Sequence, residues 1–188
     1  MASSAKSRTY KMVLVALFAA LIAVGAFLRV PIPVVPFTLQ TFFVSLAGML
    51  LGRKLGAASA ALYMAIGLIG IPVFTQGGGI GYVLKPTFGY IVGFIAGAFV
   101  TGTIARKTER PGFLRLLLAA FAGLFVIYTL GTVYFYLLTN YYLGNPVSVW
   151  TAFLYCFLMF IPGDGAMSVV AALVARRMIP VLQKSNLA

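Results

Sequence analysis

Chemistry in this chain has to come from very few side chains. Among 188 residues there are two carboxylates, Glu109 and Asp164, one cysteine, Cys156, and no histidine. A Cys/His metal site, a Ser-His-Asp triad and a paired-carboxylate hydrolase are thereby excluded. Gly77-Gly78-Gly79-Ile80-Gly81 lacks both the spacing and the lysine of a phosphate loop, so ATP is not bound here. Cys156, between Tyr155 and Phe157, has no base to activate it and reads as a small buried hydrophobe. No cofactor or metal is expected. What remains is recognition. Asp164 lies inside an apolar stretch, where a carboxylate costs on the order of 3 kcal/mol on insertion scales, so it faces a cavity or a partner. The alternative is that it complements the positive end of a helix starting at Pro162. Lys85 follows the glycine-rich stretch and either faces an anionic ligand or snorkels to the interface, as Arg29 does at the end of the first apolar run. An acid and a base at opposite ends of one small cavity suit a ligand with both a hydrogen-bond-donating group and a carboxylate. Asp164 and Lys85 could equally form an ion pair with no ligand.

The elements that carry these residues are set by composition. With 62% hydrophobic and 9% charged residues and a mean hydropathy of +1.06, the chain has far more apolar surface than a soluble domain, at roughly 45–50% and 25%, can bury. It is an integral membrane protein of one domain, residues 1–188. The net charge of +12 does not imply nucleic acid, because a basic face on a folded polar surface is missing.

The apolar runs predict six crossings. Span one is Met12–Leu28. Pro31, Pro33 and Pro36 force an extended or re-entrant loop over Val30–Phe37. Span two runs Thr38–Leu51, and span three Leu55–Ile71 after a turn at Arg53 and Lys54. The stretch Val73–Leu84 is too glycine-rich for a lipid-exposed helix and suits close backbone approach to a ligand. Lys85 and Pro86 open span four, which runs to Ala105, and span five is Phe113–Leu138. Pro162-Gly163-Asp164 is a helix-start signal, which divides the remainder into a short outer segment, Trp150–Ile161, and a sixth span, Pro162–Ala175. Spans two, three and six are short.

Six crossings put both termini on one side, together with Lys6, Arg8, Lys11, Arg53, Lys54, Arg106, Lys107, Arg110, Arg115, Arg176, Arg177 and Lys184, twelve of the fourteen cations. Only Arg29 and Lys85 fall on the other, so the positive-inside rule makes both termini cytoplasmic. The halves show no inverted repeat, which speaks against a self-contained alternating-access transporter. On the first helix, Ala16/Ala20 and Ala19/Ala23 are small residues one turn apart, where a second helix can approach closely or internal packing can occur.

Four stretches, Pro33–Gly48 (PVVPFTLQTFFVSLAG), Gly67–Phe74 (GLIGIPVF), Gly81–Phe94 (GYVLKPTFGYIVGF) and Phe160–Asp164 (FIPGD), resemble the biotin-specific substrate-binding (S) subunit of energy-coupling-factor transporters, the BioY family. The likeness covers essentially the whole chain. It implies an all-α, six-helix membrane subunit with irregular outer loops that captures biotin from outside and works with a membrane coupling subunit and two cytoplasmic ATPase subunits. It also implies a substrate site at Thr38, Gln40, Phe74, Gly79, Tyr82, Lys85, Thr87, Tyr90 and Asp164. Ala16, Ala19, Ala20 and Ala23 resemble the family's docking face for the coupling subunit. One position departs: the family's PGD motif is commonly followed, three residues after the Asp, by Lys, where this chain has Met167, and Lys85 is the substitute at hand. The competing readings are an S subunit for another vitamin, such as thiamin or riboflavin, and a structural membrane subunit that binds no solute.

Overall fold

The computed structural model describes residues 2–30 and 35–184. The chain is helical almost throughout: α1 (Ala2–Phe27), α2 (Gln40–Leu68), α3 (Phe88–Ala105), α4 (Phe113–Leu137), α5 (Val149–Cys156) and α6 (Ile161–Lys184). A short antiparallel ribbon, β1 (Arg29–Val30) against β2 (Phe37–Thr38), joins α1 to α2. Among the described residues, four stretches are long and apolar enough to cross a membrane: Arg8–Phe27, Phe88–Ala105, Phe113–Tyr142 and Val149–Gln183. Large apolar side chains such as Leu118, Phe125 and Leu173 lie exposed along them, as expected of helices solvated by lipid chains.

α2 is two helices in one. Gly52, at φ 81° and ψ 177°, reverses the chain so that residues 40–51 and 53–68 run back to back. A Cβ on Gly56 would lie 2.9 Å from Gly48 Cα, whereas eight residues of continuous helix span about 12 Å. Only glycine enters this backbone region cheaply. The cations Arg53 and Lys54 flank the reversal; glycine makes it.

Several expected boundaries move. Span four does not open at Lys85 and Pro86: Lys85 is extended, at φ −93° and ψ 139°, as the residue before a proline is driven to be, and α3 starts at Phe88. The sixth span does not stop at Ala175 and is not short, since α6 continues for 24 residues to Lys184 with Pro180 inside it. The outer segment ends at Cys156, where Phe157 (φ −129°, ψ −66°) breaks the helix, and a 3-10 turn, Leu158–Phe160, leads into α6. Thr38, expected as the first residue of span two, belongs to β2. Pro31 and Pro33 of the proline loop lie outside the described residues.

Close packing comes from small residues. Along the α3 face toward α4, Gly89, Gly93 and Gly97 recur every four residues, and a Cβ at Gly93 would sit 2.9 Å from the Ile127 carbonyl. Such a row lets two backbones touch, the contact that replaces hydrophobic driving force in lipid. At one end of the bundle the core is rich in alanine, with Ala119 and Ala120 of α4 against Ala171, Ala172 and Ala175 of α6. At the other it is aromatic, gathering Tyr63, Phe74, Tyr82, Tyr90, Phe94, Tyr128 and Phe160. The cavity described next lies among these aromatic residues.

Candidate functional site

Between the starts of α2, α3 and α6 lies a partly open cavity holding about 490 Å³ of atom-free space, its mouth included. Its walls come from β2, both arms of α2, the 3-10 turn Ile80–Leu84, α3, α4 and the entry to α6. The apolar part is Val35, Pro36, Ile91, Phe94 and Phe160; the polar part is almost entirely hydroxyl and amide.

Asp164 forms one pole. It is buried in the first turn of α6, where the unsatisfied N–H groups favour an acid. Thr41 donates to its Oδ1 at 2.7 Å, and the Tyr128 hydroxyl donates to its Oδ2. Two helices other than its own therefore hold the carboxylate, one on each oxygen. Met167 is half-buried beside Thr41 and Ser168, so α6 brings no cation to the acid at this position. An ionised carboxylate accepts more hydrogen bonds than these two, so it retains capacity for a donor entering the cavity.

Further hydroxyl-bearing side chains, together with Gln40, line the rest of the cavity. Gln40 Nε2 donates to Tyr63 Oη at 2.8 Å, and Tyr63 in turn donates to the Val73 carbonyl at 3.2 Å. Thr38 donates to Gln40 Oε1 at 3.3 Å. The Tyr82 hydroxyl lies 2.9 Å from both Thr75 Oγ1 and Thr87 Oγ1, linking the glycine-rich loop to the start of α3. Tyr90 lies over Gly131, where a Cβ would meet its ring at 2.5 Å. Its hydroxyl donates to the Cys156 carbonyl at 2.6 Å, an acceptor released where α5 breaks. These bonds fix ring orientations before any ligand arrives.

Of the nine site residues expected from the sequence, Thr38, Gln40, Tyr82, Thr87, Tyr90 and Asp164 line the cavity. Phe74 stands one layer behind, packed against the rings of Tyr63 and Tyr82 at 5.4 and 4.5 Å and lodged against Gly67. Gly79 (φ 97°) shapes the loop through its N–H bond to the Gly67 carbonyl, at 2.7 Å. Lys85 is exposed, two residues from Thr87, and not in the wall. Arg29 donates to the Thr75 carbonyl, so it ties the ribbon to the glycine-rich loop instead of snorkelling freely. Sequence reasoning passed over Thr41, Tyr63 and Tyr128. The signal for the two tyrosines is a phenol in mid-span, whose hydroxyl must find a partner.

The alanine strip on α1 divides. Ala19 is 2% exposed and, with Ala23, packs into the aromatic core cluster, whereas Ala16 and Ala20 are exposed. Of the four residues expected to form a docking face, only Ala16 and Ala20 are exposed, because residues three apart on a helix point in directions about 60° different.

Residues 1–184 match the BioY family. A probable biotin transporter BioY from Lysinibacillus sphaericus is 46% identical over 179 residues, spanning 95% of this chain and 91% of that protein. The biotin transporter BioY of Thermotoga maritima is 42% identical, over 86% of this chain and 91% of its own. Among solved structures, the S-component for biotin from an ECF-type ABC transporter superposes with a TM-score of 0.77 at 29% identity, covering 94% of this chain and 92% of that one. With this match over nearly its full length, and with a cavity at the positions its motifs pointed to, the chain belongs to the BioY family.

Proposed function

We propose that this protein captures biotin at the outer face of the cell membrane and serves as the S component of an energy-coupling-factor transporter. The observation that carries this reading is the buried Asp164, held by two hydroxyls and open toward an otherwise apolar and hydroxyl-lined cavity. Biotin's ureido ring offers two N–H donors to such an acceptor, and its fused rings and valeryl chain suit the Ile91, Phe94 and Phe160 surface. The carboxylate end then lies toward the mouth, near the exposed Lys85. Phe74 and Gly79 act from behind, one setting the tyrosine rings and the other the loop.

Energy for uptake comes from a membrane coupling subunit and two cytoplasmic ATPase subunits. The exposed pair Ala16 and Ala20 on α1 is the docking contact for the coupling subunit. We assign six crossings, by α1, the two arms of α2, α3, α4 and α6, with α5 on the outer side. Both termini are cytoplasmic on the cation distribution. The decisive experiment is to purify the full chain from cells grown with biotin and identify the co-purifying small molecule. Biotin, and neither thiamin nor riboflavin, is expected. Recovery of one of those, or calorimetry with no heat of biotin binding to the ligand-free protein, would overturn the assignment.

A further inference from the structure

A second concave site lies toward the opposite end of α3 from the cavity, α3 itself being about 27 Å long at 1.5 Å per residue. It is a groove between the α2 reversal and the end of α3, walled by Gly52, Arg53, Lys54, Gly102, Arg106 and Lys107. Close packing puts the four cations there. Gly102 has no side chain, so the Arg53 backbone lies directly against α3, and Gly52 leaves room for the Arg106 stem, whose Cγ would be 3.8 Å from a Cβ at that position. Arg53 reaches across to α3, its guanidinium 5.9 Å from the Phe99 ring centroid. Arg106 reaches the other way, and its Nη1 is wholly buried with no hydrogen-bond partner among the described residues. A buried guanidinium nitrogen without an acceptor is rare in a folded protein and marks a place where an acceptor belongs.

We infer that this groove binds the headgroup phosphate of an anionic phospholipid. Two arginines on facing elements present guanidinium groups, which engage a phosphate through paired N–H bonds. Two lysines beside them supply field without geometry. The source is a lipid because Arg53 of the groove wall lies over Phe99, which is 43% exposed on a membrane-length helix. A phosphate seated among the four cations therefore has lipid-facing surface next to it for its acyl chains. Basic side chains at the end of a membrane helix attract anionic headgroups for the same electrostatic reason.

The test uses the full-length protein in neutral detergent and short-chain phosphatidylglycerol, with short-chain phosphatidylcholine and inorganic phosphate as comparisons, read by native mass spectrometry. Phosphatidylglycerol is expected to bind at least about tenfold more tightly than phosphatidylcholine, and R53Q/R106Q to lower its affinity by about the same factor. R53K/R106K, which keeps the charge but loses the fork, falls between them. R176Q/R177Q removes equal charge from the exposed part of α6 and is expected to stay within about twofold of the parent. Gel filtration and melting temperature report folding of each variant. The assignment is overturned if R53Q/R106Q, folded, binds the lipid like the parent, or if R176Q/R177Q weakens it equally. It is also overturned if inorganic phosphate displaces the lipid at equal concentration, or if the parent protein shows no preference for the anionic lipid.

Discussion

Thr41 donates a hydrogen bond to Oδ1 of Asp164 at 2.7 Å, joining the start of α2 to the start of α6 across 123 residues of sequence. With Tyr128 on the other oxygen, the acid is held by two groups whose hydroxyls can turn. It is therefore anchored without being neutralised by a cation, an arrangement that leaves its charge available to a ligand with N–H donors.

Asp164→Asn keeps the shape and one acceptor but removes the charge. A hydrogen bond to a charged group contributes about 1.5–3 kcal/mol, so biotin affinity is expected to fall about ten- to a hundredfold while the variant still elutes as a folded protein. Calorimetry on the purified subunit measures this. An Asn variant that binds as tightly as the parent would reduce Asp164 to a helix-start residue.

Lys85 is exposed, and on the proposed biotin pose it meets the ligand carboxylate in solvent, where a charge pair is screened and acts mainly on encounter. Lys85→Ala is expected to slow biotin association about two- to fivefold at low salt, with the difference closing as salt rises. A biotin amide, lacking the carboxylate, should not distinguish the variant from the parent. Stopped-flow fluorescence gives the rates; equal losses for acid and amide would refute the pairing.

The divided alanine strip separates docking from folding. Ala20→Trp, on the exposed face, is expected to leave biotin binding by the isolated subunit intact and to abolish co-purification with a coupling subunit. Ala19→Trp places the same bulk in a filled core and should destabilise the subunit itself, by about 1–3 kcal/mol or more. If both variants lose binding and assembly together, Ala20 also belongs to internal packing.

Topology can be read by labelling. Cysteines introduced at Ser4 and Asn186 are expected to resist an impermeant thiol reagent added to intact cells, whereas one at Gly144, exposed after α4, should react. The native Cys156 is buried and gives little background. Labelling of either terminus from outside would refute six crossings with cytoplasmic ends.

That this is a helical membrane protein, and where most helices lie, was readable from the apolar runs alone, because a long apolar run has few structures open to it in lipid. The sequence also marked Asp164, since one acid in an apolar stretch is costly enough to be conspicuous. The reversal in α2 was legible from Arg53 and Lys54, though the residue that makes it proved to be Gly52. Tertiary structure decided the rest. Thr41, Tyr63 and Tyr128 look like ordinary residues of apolar spans until three helices bring their hydroxyls together with Asp164 and Gln40. Ala19 and Ala20 are identical in type and adjacent in sequence, yet one is sealed in the core and the other is exposed. Such differences depend on which way each helix is rotated, and the apolar pattern fixes rotation poorly here, because lipid accepts the same side chains on the outer face that the core accepts on the inner one.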